Sequence, residues 1–146
     1  MFTIKNKLNL LLISSSFFVA AAHAEIIGLS VEDAWIAEAP PVSKVMAGYM
    51  QLSNSGTQAI VIKKAQSDTY SSIELHETLN ANGMASMVRH ETIEIPADGH
   101  IELKPGGKHL MLFNPVKRLL DGDTVDIKFV SDNGQQQVFS IKVKKP

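Results

Sequence analysis

The chain has 146 residues, of which 14 are Lys or Arg and 15 are Asp or Glu, so its formal net charge is −1. This length accommodates one domain with its own hydrophobic core. The chain has no cysteine, which excludes disulfides, thiol–disulfide exchange and metal centres that need a thiolate ligand. It also has no long basic stretch to follow a phosphate backbone, so nucleic acid is not an expected partner.

The first 24 residues have the pattern of a secretory signal peptide. Lys5 and Lys7 precede an apolar run that is interrupted by serines and ends in a small-X-small sequence at 22–24. A membrane anchor is the alternative, but the run is shorter than the roughly 20 residues that span a bilayer. We therefore predict cleavage after Ala24, export to the periplasm and no stable membrane insertion. The mature domain, residues 25–146, would carry 12 basic and 15 acidic residues, a net charge of −3.

The mature part of the chain reads as short strands separated by turns, without a long stretch of helical periodicity. Regular spacing of such strands predicts an all-β antiparallel sandwich or barrel. A short helical turn is predicted over residues 114–120. The expected strands are Ile27–Val31, Ala47–Ser53, Ala59–Ala65, Ser72–Thr78, Ala85–Glu91, Ile101–Leu103, His109–Phe113, Thr124–Val130 and Gln136–Val143.

A β-hairpin is predicted around the turn signal at residues 80–83, with His76 on its first strand and Met87 on its second. A two-residue turn at Asn82-Gly83 would place His76 opposite Arg89, with Met87 as its diagonal neighbour. A four-residue loop would place His76 opposite Met87. Both registers put the two side chains on one face, whereas a three-residue loop would separate them.

A second pair of candidate ligands, His109 and Met111, lies two residues apart on a predicted strand, so these side chains also share a face. Any one of the four residues alone is more easily explained as core filling or as a surface residue. Together, two imidazoles and two thioethers form a ligand set suited to Cu(I). We therefore predict one Cu(I) site, and the lack of cysteine excludes a blue-copper or CuA centre on this chain.

The spacing His-X10-Met-X21-His-X-Met, with Lys-Pro-Gly-Gly before the second His, resembles the signature of the periplasmic copper chaperones called PCu(A)C. The segments 31–35, 47–50, 95–97 and 102–112 are also similar to that family. The resemblance implies a single-domain, cupredoxin-like Greek-key β-sandwich that binds Cu(I) and supplies the CuA centre of cytochrome c oxidase. The metal ligands that it implies are His76, Met87, His109 and Met111.

Met46, Met84 and His90 are interpreted differently from the four candidate ligands. Met46 is interpreted as a core residue and Met84 as an exposed turn residue, although a contribution of either to the site is left open. His90 has the opposite parity to Met87 and is excluded. No nucleophile elbow, phosphate loop or zinc-protease motif is present, so no enzymatic activity is expected.

Three functions compete at this point. The first is a Cu(I) carrier that delivers its metal to a cysteine-bearing acceptor, such as an oxidase CuA domain or a Sco-type assembly protein. The second is a periplasmic copper buffer without a dedicated recipient. The third is an exported β-sandwich interaction module whose His and Met are incidental. A metal titration separates the third from the other two.

Overall fold

The computed structural model describes residues 24–146, so the predicted signal peptide lies outside the described residues except for Ala24. This part of the chain forms ten strands and no helix. Among these residues no helix is therefore long and apolar enough to cross a membrane. The strands are β1 (Leu29–Ala37), β2 (Val45–Asn54), β3 (Ile60–Gln66), β4 (Tyr70–Ala81), β5 (Met84–His90), β6 (Ile93–Ile95), β7 (Gly99–Leu103), β8 (Lys108–Pro115), β9 (Thr124–Ser131) and β10 (Gln136–Lys144).

The ten strands follow the order β5-β4-β8-β2-β1-β10-β9-β3-β6, and β7 pairs with the half of β2 that β8 leaves free. Ala65 on β3 also pairs with Ile73 on β4, and this single pairing links the two ends of the strand order. All pairings are antiparallel except that of β1 with β10, which is parallel. The predicted all-β, cupredoxin-like sandwich is confirmed, with this one parallel pair as a departure from a purely antiparallel arrangement.

The hydrophobic core lies between the layers and follows the two-residue alternation of the strands. Along β2, buried and half-buried residues alternate at every position. Met46 is 4% exposed, as expected for a core residue, and its sulfur accepts a hydrogen bond of 3.2 Å from the Tyr70 hydroxyl. The largest fully buried side chains are Phe129, Ile36, Leu52, Ile62, Ile95, Leu103, Leu110, Leu112, Ile127 and Ile141.

The β4–β5 hairpin has the register of a two-residue turn. His76 pairs with Arg89 and Thr78 pairs with Met87, which is the first of the two registers expected from the sequence. Asn82 and Gly83 both have positive φ, 52° and 76°, as a type I′ turn requires. The four-residue alternative is therefore wrong, but the shared face of His76 and Met87 is confirmed.

Several strand bounds differ from those predicted, and three local departures are the clearest. β1 continues six residues beyond its predicted end at Val31, through a bulge at Asp33 (φ 50°). The three-residue strand β6 was not predicted. The predicted helical turn over residues 114–120 is wrong, because the Asn114 N–H donates to the Lys44 carbonyl and the Val116 N–H to the Thr69 carbonyl. These long-range bonds hold residues 114–116 extended beside neighbouring segments, and β8 continues to Pro115 instead of giving way to a helical turn.

Candidate metal centre

Two histidines face each other across neighbouring strands. His76 on β4 is the direct pairing partner of His109 on β8, and their ring centroids are 6.2 Å apart. Their sequence neighbours Leu75 and Leu110 are 7% and 0% exposed and belong to the core. Since successive side chains of a strand point to opposite faces, the two imidazoles lie on the outward face of the sheet.

Although this face is outward, the histidine pair is sheltered from water. The His76 side chain is 15% exposed and His109 is 7% exposed. The Tyr49 ring lies 6.5 Å from His109 and packs against Trp35, while the Phe113 ring lies 6.4 Å from His76. Burial raises the pKa of the Tyr49 phenol, so this side chain beside His109 is uncharged at neutral pH.

His109 is oriented by the loop that precedes β8. Its Nδ1 lies 3.0 Å from the Gly107 carbonyl oxygen, which can only accept, so Nδ1 carries the hydrogen. In the neutral ring, Nε2 then has the free lone pair. A ring N–H donated to a backbone carbonyl is the usual arrangement of a metal-binding histidine.

His76 is oriented by a carboxylate instead. Its Nε2 lies 2.9 Å from Glu74 Oε2, and the other oxygen of Glu74 lies 3.4 Å from Arg89 Nη1. Within residues 24–146, His76 Nδ1 is buried and has no hydrogen-bond partner. A buried polar atom without a partner destabilises the fold. A metal ion bound by this nitrogen and by the neighbouring His and Met side chains would supply the missing partner.

The two methionines occupy unequal positions on this face. Met111 is the next outward residue of β8 after His109, is half-buried, and pairs with Glu74 on β4 and Ala47 on β2. Met87 is diagonal to His76 and 53% exposed. In a flat sheet, strand spacing and rise would separate the Cα atoms of Met87 and Met111 by roughly 17 Å. The structure thus brings together His76, His109 and Met111, with Met87 at the margin.

His90, which was excluded, and Met84, which was left open, both lie away from the histidine pair. His90 contacts Glu77 at 2.7 Å on the opposite face of the hairpin from Met87. Met84 is the first residue of β5, directly after the turn, and is 72% exposed. Sequence reasoning missed Glu74 and Arg89. Their parity with His76 places all three on one face, but only the side-chain geometry shows that they interact.

Comparison of the sequence with protein families and curated proteins identifies relatives over most of the domain. The family described as "Putative lipoprotein LpqE-like" matches residues 29–143. The protein RP573 of Rickettsia prowazekii is 32% identical over 98 residues, which are 66% of this chain and 54% of that protein. The chain therefore spans about half the length of this relative. The protein described as "Putative lipoprotein Lxx21020" of Leifsonia xyli subsp. xyli is 30% identical over 118 residues, covering 80% of this chain and 70% of the relative.

Solved structures with the same fold include copper-loaded proteins. The Cu(I) form of DR1885 from Deinococcus radiodurans has a TM-score of 0.65 and 32% identity, with coverage of 82% of this chain and 81% of that one. The copper-bound PCuAC domain of PmoF2 has a TM-score of 0.69 over 86% of this chain and 99% of that domain, and its 17% identity shows the fold alone. The chain belongs to the LpqE-like family and has the fold of PCuAC domains, which confirms the resemblance found in its His and Met spacing.

Proposed function

We propose that this protein is an exported, periplasmic Cu(I) chaperone that delivers copper to the CuA centre of cytochrome c oxidase or to its assembly factors. The observation that carries this proposal is the His76–His109 pair. In each imidazole one ring nitrogen donates to a protein oxygen, and the lone pair of the other nitrogen is available to a metal. Met111 and Met87 add thioethers on the same face of the sheet.

The chemistry of these donors selects Cu(I) among the common metals. Thioether sulfur is a soft ligand that suits Cu(I) and is a poor ligand for magnesium, calcium or manganese. The four proposed ligands, His76, Met87, His109 and Met111, are all neutral. The copper forms of DR1885 and of the PmoF2 domain support this choice of metal, because they share the fold of this chain.

The position of the site suits a protein that gives up its cargo. The four proposed ligands lie on the outward face of one sheet, and more than half of the Met87 side chain is exposed. Neutral thioethers hold Cu(I) without the added charge attraction of a thiolate. A reduced domain with a cysteine pair, such as a CuA or Sco-type domain, should therefore take copper from this site.

The metal assignment is tested by anaerobic titration with Cu(I) against a competing chelator. We expect one Cu(I) per chain and a large loss of affinity in His76→Ala. The matched control is His90→Ala, which removes a histidine from the same hairpin on the opposite face. A chain that binds no Cu(I), or equal weakening by the two substitutions, would exclude this site.

Delivery is tested by mixing the Cu(I)-loaded protein with reduced cysteine-bearing domains and separating the two. Copper should move to the acceptor, and retention of the metal against every such domain would favour the buffer function instead.

Export is tested by the intact mass of the protein in a periplasmic extract. We expect a chain that begins at Glu25, and a chain that retains residues 1–24 would contradict signal cleavage.

A further inference from the structure

We propose that Glu74 is a positioning residue that makes the two histidines bind Cu(I) through different ring nitrogens, His76 through Nδ1 and His109 through Nε2. This inference rests on the proposed copper-binding function and goes beyond it, because it assigns the ligand atoms and a residue that the spacing motif does not contain.

The argument begins with the hydrogen bond between His76 and Glu74. A carboxylate can only accept, so the nitrogen at 2.9 Å, Nε2, must donate. A neutral imidazole has one N–H, and therefore Nδ1 has the lone pair. His109 shows the reverse pattern, because its Nδ1 donates to the Gly107 carbonyl at 3.0 Å. The two rings are thus held as opposite tautomers on adjacent strands.

The position of Glu74 is itself fixed from the neighbouring strand. Arg89 pairs with His76 across the β4–β5 hairpin, and its Nη1 lies 3.4 Å from Glu74 Oε1. One carboxylate oxygen therefore faces the guanidinium and the other faces the imidazole. Because Arg89 has an exposed side chain while Glu74 is mostly covered, the ion pair adds orientation to the carboxylate rather than much stability.

The consequence for His76 is a buried nitrogen available to a metal. Nδ1 is inaccessible to solvent and, among the described residues, has no hydrogen-bond partner. Rotation of the ring would break the contact between Nε2 and Glu74. With Nε2 held, the lone pair of Nδ1 stays available on a ring 6.2 Å from that of His109. Carboxylate partners of this kind fix the tautomer and raise the basicity of a metal-binding histidine.

A first experiment reads the tautomers in the metal-free protein. Two-bond proton–nitrogen correlation spectra at mildly alkaline pH distinguish Nδ1–H from Nε2–H in each ring. We expect the hydrogen of His76 on Nε2 and that of His109 on Nδ1. On addition of Cu(I), which is diamagnetic, the nitrogen shifts should change most at Nδ1 of His76 and Nε2 of His109. A hydrogen on Nδ1 of His76, or copper-induced shifts at its Nε2, would overturn the proposal.

A second experiment compares two substitutions on the same strand. Glu74→Ala removes the acceptor of His76, and Glu77→Ala removes the equivalent acceptor of His90, 2.7 Å away on the opposite face. We expect Glu74→Ala to mix the tautomers of His76 and to lower Cu(I) affinity about 10- to 100-fold, the usual cost of losing such a partner. Glu77→Ala should disturb only His90 and leave Cu(I) affinity unchanged. Equal effects on affinity would overturn the proposal.

A conservative variant separates the hydrogen bond from a general loss of structure. In Glu74→Gln the amide oxygen can still accept from Nε2, so His76 should keep its tautomer and lose less affinity than in Glu74→Ala. A larger loss in Glu74→Gln would overturn the positioning role. If the wild-type chain binds no Cu(I), the proposed function fails. If it binds Cu(I) but Glu74→Ala leaves affinity and tautomer unchanged, only this inference fails.

Discussion

Met111 and Met87 stand in unequal relation to the histidine pair. Met111 follows His109 on a strand that is paired on both edges, and it is half-buried. Met87 lies on β5, the strand at one end of the sheet order, with its side chain 53% exposed. In the proposed site Met87 would have to move further than Met111 to reach a common metal, which requires the hairpin to bend toward β8.

This inequality predicts different effects for the same substitution. Met111→Leu should lower Cu(I) affinity by at least about tenfold, or about 1.4 kcal/mol, and Met87→Leu should lower it less. Both proteins should keep their fold, because Leu and Met are nearly equal in volume. The measurement is chelator competition, with Met84→Leu as the control in the same hairpin. A larger effect at Met87 than at Met111 would contradict the arrangement.

A second prediction at this scale concerns Tyr70, whose hydroxyl donates to the Met46 sulfur inside the core. Burial raises the pKa of Tyr70 above the usual tyrosine value of about 10. The folded state thus holds the phenolic proton more tightly than the unfolded state does. Tyr70 therefore contributes stability that is complete below about pH 10 and declines as pH rises through that value.

Tyr70→Phe should accordingly have two effects on the free energy of unfolding. At neutral pH the loss of the hydrogen bond should cost about 1 kcal/mol. Above about pH 10 the variant should lose less stability than the wild-type chain. Denaturant titrations across this range provide the measurement, and Cu(I) affinity at neutral pH serves as the control, since Tyr70 lies away from the site. A variant with the same alkaline decline as the wild type would contradict this account.

At the level of the elements, the register of the β4–β5 hairpin determines which β5 side chains share a face with His76. Its register depends on the two positive φ angles of Asn82 and Gly83. A Cβ at Gly83 would meet no atom within 4 Å, so the backbone angle and not crowding favours glycine there. A one-residue slip of β5 against β4, by contrast, would turn every side chain of β5 to the other face.

One glycine inserted between Asn82 and Gly83 makes a three-residue loop, which moves Met87 to the opposite face of the hairpin if β5 slips by one residue against β4. Cross-strand NOEs between β4 and β5 check this slip. We expect Cu(I) affinity to fall to the level of Met87→Leu and no further, because His76, His109 and Met111 are held by the pairing of β4 with β8. Inserting two glycines preserves the parity and should largely restore affinity. Once the slip is established in the first variant, equal affinities of the two insertion variants would show that Met87 is not part of the site.

The elements also show what the sequence can and cannot predict. The shared face of His76 and Met87 follows from a short turn at residues 80–83, because its geometry is local, but the sequence left two registers open and the structure selects the two-residue one. The pairing of His76 with His109 is not local, since β4 and β8 are far apart in sequence and their register is set by the packing of the whole sheet. For the same reason the extension of β1 and the existence of β6 were missed. Glu74 has the parity of His76, yet its role depends on side-chain conformation.

For the whole molecule, the site and the core are on opposite faces of the same sheet. The buried apolar side chains lie between the layers, whereas the four proposed ligands lie on the outward face. The chain should therefore fold without copper, unlike small domains whose folding depends on a metal. This separation allows a carrier to lose its cargo and remain folded.

Copper should nevertheless stabilise the folded chain by mass action. With free Cu(I) at 100 times its dissociation constant, the free energy of unfolding should rise by about 2.7 kcal/mol. Thermal unfolding followed by circular dichroism, with and without Cu(I), measures this effect. His76→Ala should remain folded and lose most of the copper-dependent increase. A metal-free chain that is unfolded at room temperature would contradict the separation of core and site.

The most direct test of the copper site is X-ray absorption spectroscopy of the Cu(I)-loaded protein. We expect both nitrogen and sulfur scatterers around the metal, from His76, His109, Met111 and Met87. In the double variant Met87→Leu, Met111→Leu the sulfur contribution should disappear while the nitrogen contribution remains. A wild-type spectrum without sulfur, or one that is the same in the double variant, would contradict the assignment of these residues as copper ligands.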